Sequence, residues 1–456
     1  MSDKIPPFPQ GSFIDAVRES SKLLTEQTKI SVSFRPRSSA QLSRWLICIS
    51  FSTQIDQNAV EKFLLSPAFT ASFERLKVDH GHLLPLKYPS IAAELNVMSI
   101  LTVLNMASGY RVPLHKTTGK GAYDNIRMLI MALYLTSTVE TDYMSARGMV
   151  ALDNQKIADL MGVLKHIHVE APHESIPGVV VGELGGPIFE LVRVITKILN
   201  ETGQALQSGG YPDLGTFLLE ALKKAKGDPD IVLQQVRAFR LVVTSPEVQI
   251  SVAGTWHPSV PGYGYCGRTW RVVSSGSSFV SQSDHYWRCT AVYIFKKALL
   301  MIHLVNLRFS SSPHDFVVPG TSQLPVFSDN VVPSMLVHLG IIDLSSAALG
   351  LDELFLDVDA EALLQPATSA EKTTMGVPKE GPAVTSEQSY ALRAAAIYAC
   401  EVIVSTARSM AIADQSLLWV NSITLPELDA WLWAGAKDRV DYRQLGRFSL
   451  TNTEFF

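Results

Sequence analysis

The chain has 456 residues, 47% hydrophobic and 18% charged, with 39 Lys and Arg against 43 Asp and Glu for a net charge of −4. Such a chain can bury a large core, which excludes wholesale disorder. Its acidic balance argues against broad binding of nucleic acid, which needs many cations along one face. A small anionic ligand needs only a local cluster of cations and stays open.

The four cysteines, Cys48, Cys266, Cys289 and Cys400, form no C-x-x-C pair and read as thiols of a reducing compartment. The opening MSDKIPPFPQ has no basic segment followed by an apolar run, so no secretory leader is expected. The longest uncharged apolar run, near Met128 to Val139, is too short to span a bilayer. A cytoplasmic protein without a membrane partner is the expectation.

Residues 1–55 read as a partly disordered arm carrying Pro6, Pro7, Pro9 and Pro36, with room for a short helix around Phe13 to Leu24. From Asn58 the pattern turns helical: Val60, Phe63 and Leu64 share a face, and Leu95 to Leu104 reads as a buried helix closed by Gly109. The run His115 to Gly121 (HKTTGKG) lacks the spacing of a phosphate loop and follows no strand. Tyr123-Asp124 opens a helix through Leu135, and Ala151 to Leu164 and Ile188 to Leu206 read as two more. Between these two, His166, His168 and His173 have no carboxylate or cysteine to complete a ligand set; the reading is a solvent-facing loop and no metal.

Residues 249–291 form an atypical insertion holding Trp256, Trp270, Trp287 and the run SSGSSF, with no helical period. It reads as a β-hairpin, a disordered loop or untrimmed intron sequence. Tyr293 to Leu307 is an apolar helix carrying Lys296 and Lys297, and residues 364–381 read as a flexible loop. Thr385-x-x-Gln388 and Thr424-x-x-Glu427 are capping boxes opening the last two long helices. Asp429 and Trp433 are i, i+4 neighbours on the second of them. Period-two strands are scarce, so the fold class is mainly α, with residues 56–456 as one helical domain.

The most informative stretch is Leu324 to Gly340, LPVFSDNVVPSMLVHLG. Asp329 precedes a helix whose first N–H groups have no partner within the helix, and those groups hold a carboxylate ionised and fixed in direction. The same geometry serves as a plain helix cap.

Phe327-Ser328-Asp329, Pro333 and His338-Leu339-Gly340 resemble the F-x-D…P…HLG signature of the queuosine salvage family, the queuosine 5′-phosphate N-glycosylases. Ile198 to Gly203 (ILNETG), Gly210-Tyr211 running to Phe217, Leu428-Asp429-x-x-Leu432-Trp433 and the closing Phe455-Phe456 match that family in the same order. The resemblance implies a helical scaffold similar to the helical DNA glycosylases, needing no cofactor and no metal. Its implied ligands are queuosine 5′-phosphate and queuine rather than nucleic acid.

Carried over by position, the resemblance makes Asp329 the catalytic carboxylate, Phe327 a wall or stacking partner of the base, and Asp429 the base-binding acid. It also places Tyr123 and His80 near substrate. Ala430 and Ala434 stand where the family has an aromatic residue and a second acid, and Asn330-Val331 where it commonly has Tyr-Arg. For the 5′-phosphate, Lys296, Lys297, Lys437 and Arg439 are the candidate cations. The alternatives are a helical N-glycosylase for another nucleotide and a non-catalytic helical ligand-binding protein.

Overall fold

Apolar residues at helical spacing dominate the chain, and the computed structural model is correspondingly built of helices with three small two-stranded sheets. It describes residues 11–32, 57–78, 84–173, 175–238, 248–254, 286–311, 313–356, 359–366 and 378–455. His80, Trp45 to Phe51, most of the insertion, most of the 364–381 loop and Phe456 lie outside the described residues.

The first helix is α1 (Phe13–Gln27), capped by Ser12, whose hydroxyl accepts from the Asp15 N–H. It is part of the core rather than a loose arm. Val17 and Leu24 are fully buried, Phe13 meets the Phe295 ring, and Arg18 donates to Glu401 at 2.7 Å. Ser31 also bridges to Asp343, which ties the end of this segment to the middle of the chain.

Next come α2 (Gln57–Leu64), α3 (Ile91–Val103), α4 (Ala122–Thr136), α5 (Gly186–Gly209) and α6 (Leu214–Ala225). Gly109 does not close α3, which ends at Leu104; it lies in a 3₁₀ turn, Ser108–Tyr110. A Cβ there would fall 2.2 Å from the Leu450 carbonyl oxygen, so only glycine lets the chain's C-terminal segment pass this closely. Gly109→Ala is accordingly expected to cost about 1–3 kcal/mol, read as a lower urea midpoint; an unchanged midpoint would contradict the close approach.

The stretch Ala151 to Leu164 is two short helices, Ala146–Ala151 and Asn154–Leu160, because Asp153 leaves the helix and caps the second by accepting from the Lys156 N–H. The histidine-bearing segment is an exposed antiparallel hairpin, β1 (His168–Pro172) with β2 (Val180–Leu184). The ends of the insertion also pair, as β3 (Val248–Gly254) against β4 (Tyr286–Val292).

Four elements then frame the site: α7 (Lys296–Phe309), α8 (Val331–His338), α9 (Ser386–Ala413) and α10 (Leu425–Asp438). Both capping boxes form as the sequence predicts, Thr385 with Gln388 and Thr424 with Glu427. Helix α9 is long and apolar enough to cross a bilayer, but most of it is buried by α1, α2, α8 and α10. A last strand, β6 (Arg447–Ser449), runs parallel to β5 (Glu380–Ala383) and packs on α8.

Candidate active site

Helix α8 is short, and its ends decide its position. At its C-terminus Gly340 takes φ 73°, while the Gly340 and Ile341 N–H groups return to the Val337 and Leu336 carbonyls. This is a left-handed glycine stop. His338 bonds through Nε2 to the Gly446 carbonyl at 2.8 Å, Asn330 donates to the Phe448 carbonyl at 2.8 Å, and Ser334 accepts from the Phe448 N–H at 3.2 Å. Asn330 and Ser334 therefore fasten α8 to β6, and His338 fastens it to the residue before that strand.

At the other end Asp329 Oδ1 accepts from the Val331 N–H at 2.6 Å and the Val332 N–H at 3.3 Å. The side chain is therefore a cap, and it is also buried, 5% exposed. Its second oxygen lies 3.9 Å from Lys296 Nζ, and the two side chains form a buried ion pair. A buried charge that is held and paired in this way is expensive unless its partners stay in place.

Lys296 and Lys297 open α7, where the helix dipole disfavours positive charge. Both are buried, and both donate to carbonyl groups at the end of α3: Lys296 to Asn105 O and Oδ1 at 3.0 and 3.1 Å, Lys297 to Val103 O at 2.6 Å. Burial pushes the Lys296 ammonium down to about 8, partly offset by Asp329, and the Lys297 ammonium down to about 7. These two lysines consequently belong to the buried charge cluster and are not available as a surface phosphate clamp.

Asp429, on the buried face of α10, accepts the Phe327 N–H on Oδ1 at 2.8 Å. Burial and the Asp329 carboxylate raise its carboxyl group to about 8, so at neutral pH it is mostly protonated. The Asp329 carboxylate is the second-largest cause of that rise, so the two acids belong to one buried charge cluster.

Arg393 was not legible as a site residue. It is fully buried in α9, its Nε donates to the Ser328 carbonyl at 2.9 Å, and the Ser328 hydroxyl donates back to the Arg393 carbonyl at 3.0 Å. This reciprocal pair fixes the residue before Asp329. The only sequence sign is a single cation in the apolar run ALRAAAIYAC.

The remaining candidates separate. Phe327 is buried with its ring against His303, centroids 5.2 Å apart. Ala430 is fully buried, whereas Ala434 lines a cavity of about 420 Å³ together with Tyr123, Asp124, Arg127, Trp433 and Lys437. In it Tyr123 meets Trp433 edge-on at 5.1 Å, the two partly exposed rings that a planar ligand could reach. Arg439 is engaged elsewhere, with Asp441 and the Tyr442 ring. Among the described residues no cluster of His, Cys, Asp or Glu could hold a metal ion.

No known protein-family model matches the chain, and no curated protein is significantly similar to it.

Proposed function

We propose that the protein hydrolyses the N-glycosidic bond of queuosine 5′-phosphate in the cytoplasm, releasing queuine and ribose 5-phosphate. The observation that supports this reading is the geometry of two buried acids: Asp329, held by two backbone N–H groups and Lys296, and Asp429, held by the Phe327 N–H with its carboxyl pushed up to about 8. Cleaving such a bond develops positive charge at the anomeric carbon and ring oxygen and negative charge on the departing base. The arrangement supplies one group for each.

Asp329 stabilises the oxocarbenium-like carbon. Queuine is a 7-deazaguanine with no N7 to protonate, so its departure depends on other edges of the ring. With Oδ1 of Asp429 occupied by the Phe327 N–H, its protonated Oδ2 donates to the base. As the bond between anomeric carbon and ring nitrogen breaks, the base takes the proton from Asp429. Water adds its oxygen to the anomeric carbon and gives up a proton to Asp329, and exchange with solvent restores both acids. Lys296 is the counter-ion of Asp329, and Arg393 keeps its backbone in register.

Of the departures from the resembling family, Ala430, Asn330 and Val331 are buried, while Ala434 lines the cavity. Ala434 leaves space there that an acid would fill, which keeps a related nucleotide as the second reading. Incubation with queuosine 5′-phosphate, resolved by chromatography, is expected to give queuine and ribose 5-phosphate in equal amounts. Release of base only from another nucleotide supports the second reading, and tight binding without any release supports a non-catalytic role.

A further inference from the structure

The hairpin of β1 and β2 takes no part in holding the buried acids. Its strands pair antiparallel in one register, with His168 opposite Leu184, Glu170 opposite Gly182 and Pro172 opposite Val180. Both strands are largely exposed, and Val180 and Leu184 are each 57% exposed. A two-stranded sheet alone in water is marginal, whereas three or more strands with an apolar face hold together.

The bonds at the two ends of the hairpin decide which backbone groups face outward. The Gly185 N–H donates to the Ile167 carbonyl at 3.0 Å and the His173 N–H to the Val179 carbonyl at 2.8 Å. Bonded and non-bonded pairs alternate along an antiparallel ladder, so the pairs between these two ends that exchange bonds are Val169 with Glu183 and Ala171 with Val181. The N–H and C=O groups of Val180, Gly182 and Leu184 therefore point away from β1, along the outer edge of β2. Those of His168 and Glu170 and the carbonyl of Pro172 point along the outer edge of β1. Among the described residues no backbone hydrogen bond from another element reaches the three N–H groups on the β2 edge.

The two edges differ in what guards them. Proline and charge are the usual protection of an exposed edge against pairing. The β1 edge has both: Pro172 has no N–H to give, and self-pairing centred on Glu170 would set two carboxylates opposite each other. At its three outward positions the β2 edge has neither, and its sequence VVGEL is complementary to itself. Two antiparallel copies centred on Gly182 put Val180 opposite Leu184 of the second copy, Gly182 opposite Gly182 and Val181 opposite Glu183. The three outward positions then all become bonded pairs, and no like charges stand directly opposite. The two Glu183 carboxylates lie on a diagonal, about 7–8 Å apart.

We propose that a second copy of this chain docks on the β2 edge, the two hairpins joining about a two-fold axis at Gly182 into one four-stranded antiparallel sheet. The same edge is used on both sides, so the contact closes on itself as a dimer. Val180 and Leu184 make an apolar row across the junction, with Pro172 of each hairpin beside it. Pairing one short edge lies at the low end of specific interfaces, below about 1,200 Å² in total, so a dimer that dissociates in the micromolar range is expected.

Sedimentation of the whole protein over a concentration series tests this, and a monomer–dimer equilibrium is expected. Gly182→Pro removes the central N–H, which the hairpin itself does not use, and Val180→Lys sets a cation against Leu184 of the second copy. Each is expected to raise the dimer Kd at least tenfold, while Glu170→Lys on the other edge leaves it unchanged. Gly182→Cys reads the geometry itself. Cα atoms of a bonded antiparallel pair are about 5.5 Å apart, within disulfide reach, so oxidation is expected to link two chains through residue 182. Glu170→Cys, whose mate lies three strand spacings or about 14 Å away, is expected to link no more than the wild type. A protein that stays monomeric at every concentration overturns the proposal. So does a dimer indifferent to Gly182→Pro and Val180→Lys, or cross-linking at residue 170 as efficient as at residue 182.

Discussion

Replacing Asp329 by Asn is expected to lower the rate of base release by about 10³-fold while leaving the fold in place. The two effects separate because the side chain does two jobs. As a helix cap Asn is about as good as Asp, so the bonds from the Val331 and Val332 N–H groups survive in the variant. What disappears is the negative charge that the proposed mechanism uses at the anomeric carbon.

The substitution also leaves Lys296 without its counter-ion. That ammonium already sits near 8 through burial. Without Asp329, which raises it, the value falls further, and the amine stays bonded to Asn105. Neutralisation is cheaper than burying a lone charge, so the loss of stability stays below about 2 kcal/mol. Urea midpoints and release rates, measured on the same preparation, check both halves. A rate within a few-fold of wild type contradicts the role given to Asp329.

The second large effect concerns pH. The proposed mechanism needs Asp429 protonated, so under it the rate is expected to fall as pH rises through about 8. Asp429→Asn keeps an acceptor for the Phe327 N–H and a donor toward the base but has no proton to give. It is expected to lose about 10²-fold in rate at pH 7 and to lose this alkaline limb. Lys296 titrates in the same region, and Lys296→Met, which keeps the limb set by Asp429 but lowers the whole profile, tells the two apart.

Stability follows the same groups with opposite signs. The folded Asp429 value is raised, so its contribution is complete below the unfolded value of 3.8 and is lost progressively as pH climbs to about 8. The Lys296 value is depressed, so its contribution is complete above 10.5 and is lost as pH falls to about 8. Urea midpoints of the wild type should therefore fall between pH 5 and 7, below the range in which Lys297 and Lys437 titrate, and those of Asp429→Asn should fall less. Parallel curves for the two proteins would mean that Asp429 is ionised in the folded state.

Much of the helical frame was readable because its signals are local. The capping boxes at Thr385 and Thr424, the apolar stripe of α5 and the stop at Gly340 each depend on residues within one or two turns. Asp329 and Asp429 were readable as a pair only through resemblance, since the buried bond linking Asp429 to Phe327 spans 102 positions. Arg393 and the buried placement of Lys296 were not readable, because a lone cation in an apolar helix looks the same in sequence whether it reaches solvent or a carbonyl far along the chain. The break at Asp153 was missed for a different reason: the apolar period continues across it, and only the cap reveals that the helix restarts.

The most direct test of the account is a crystal structure of the Asp329→Asn variant with queuosine 5′-phosphate bound. The anomeric carbon should lie within about 3.5 Å of residue 329, with the base edge on Asp429 and the phosphate at Lys437. A nucleotide seated away from residue 329, or a base that makes no contact with Asp429, would contradict it.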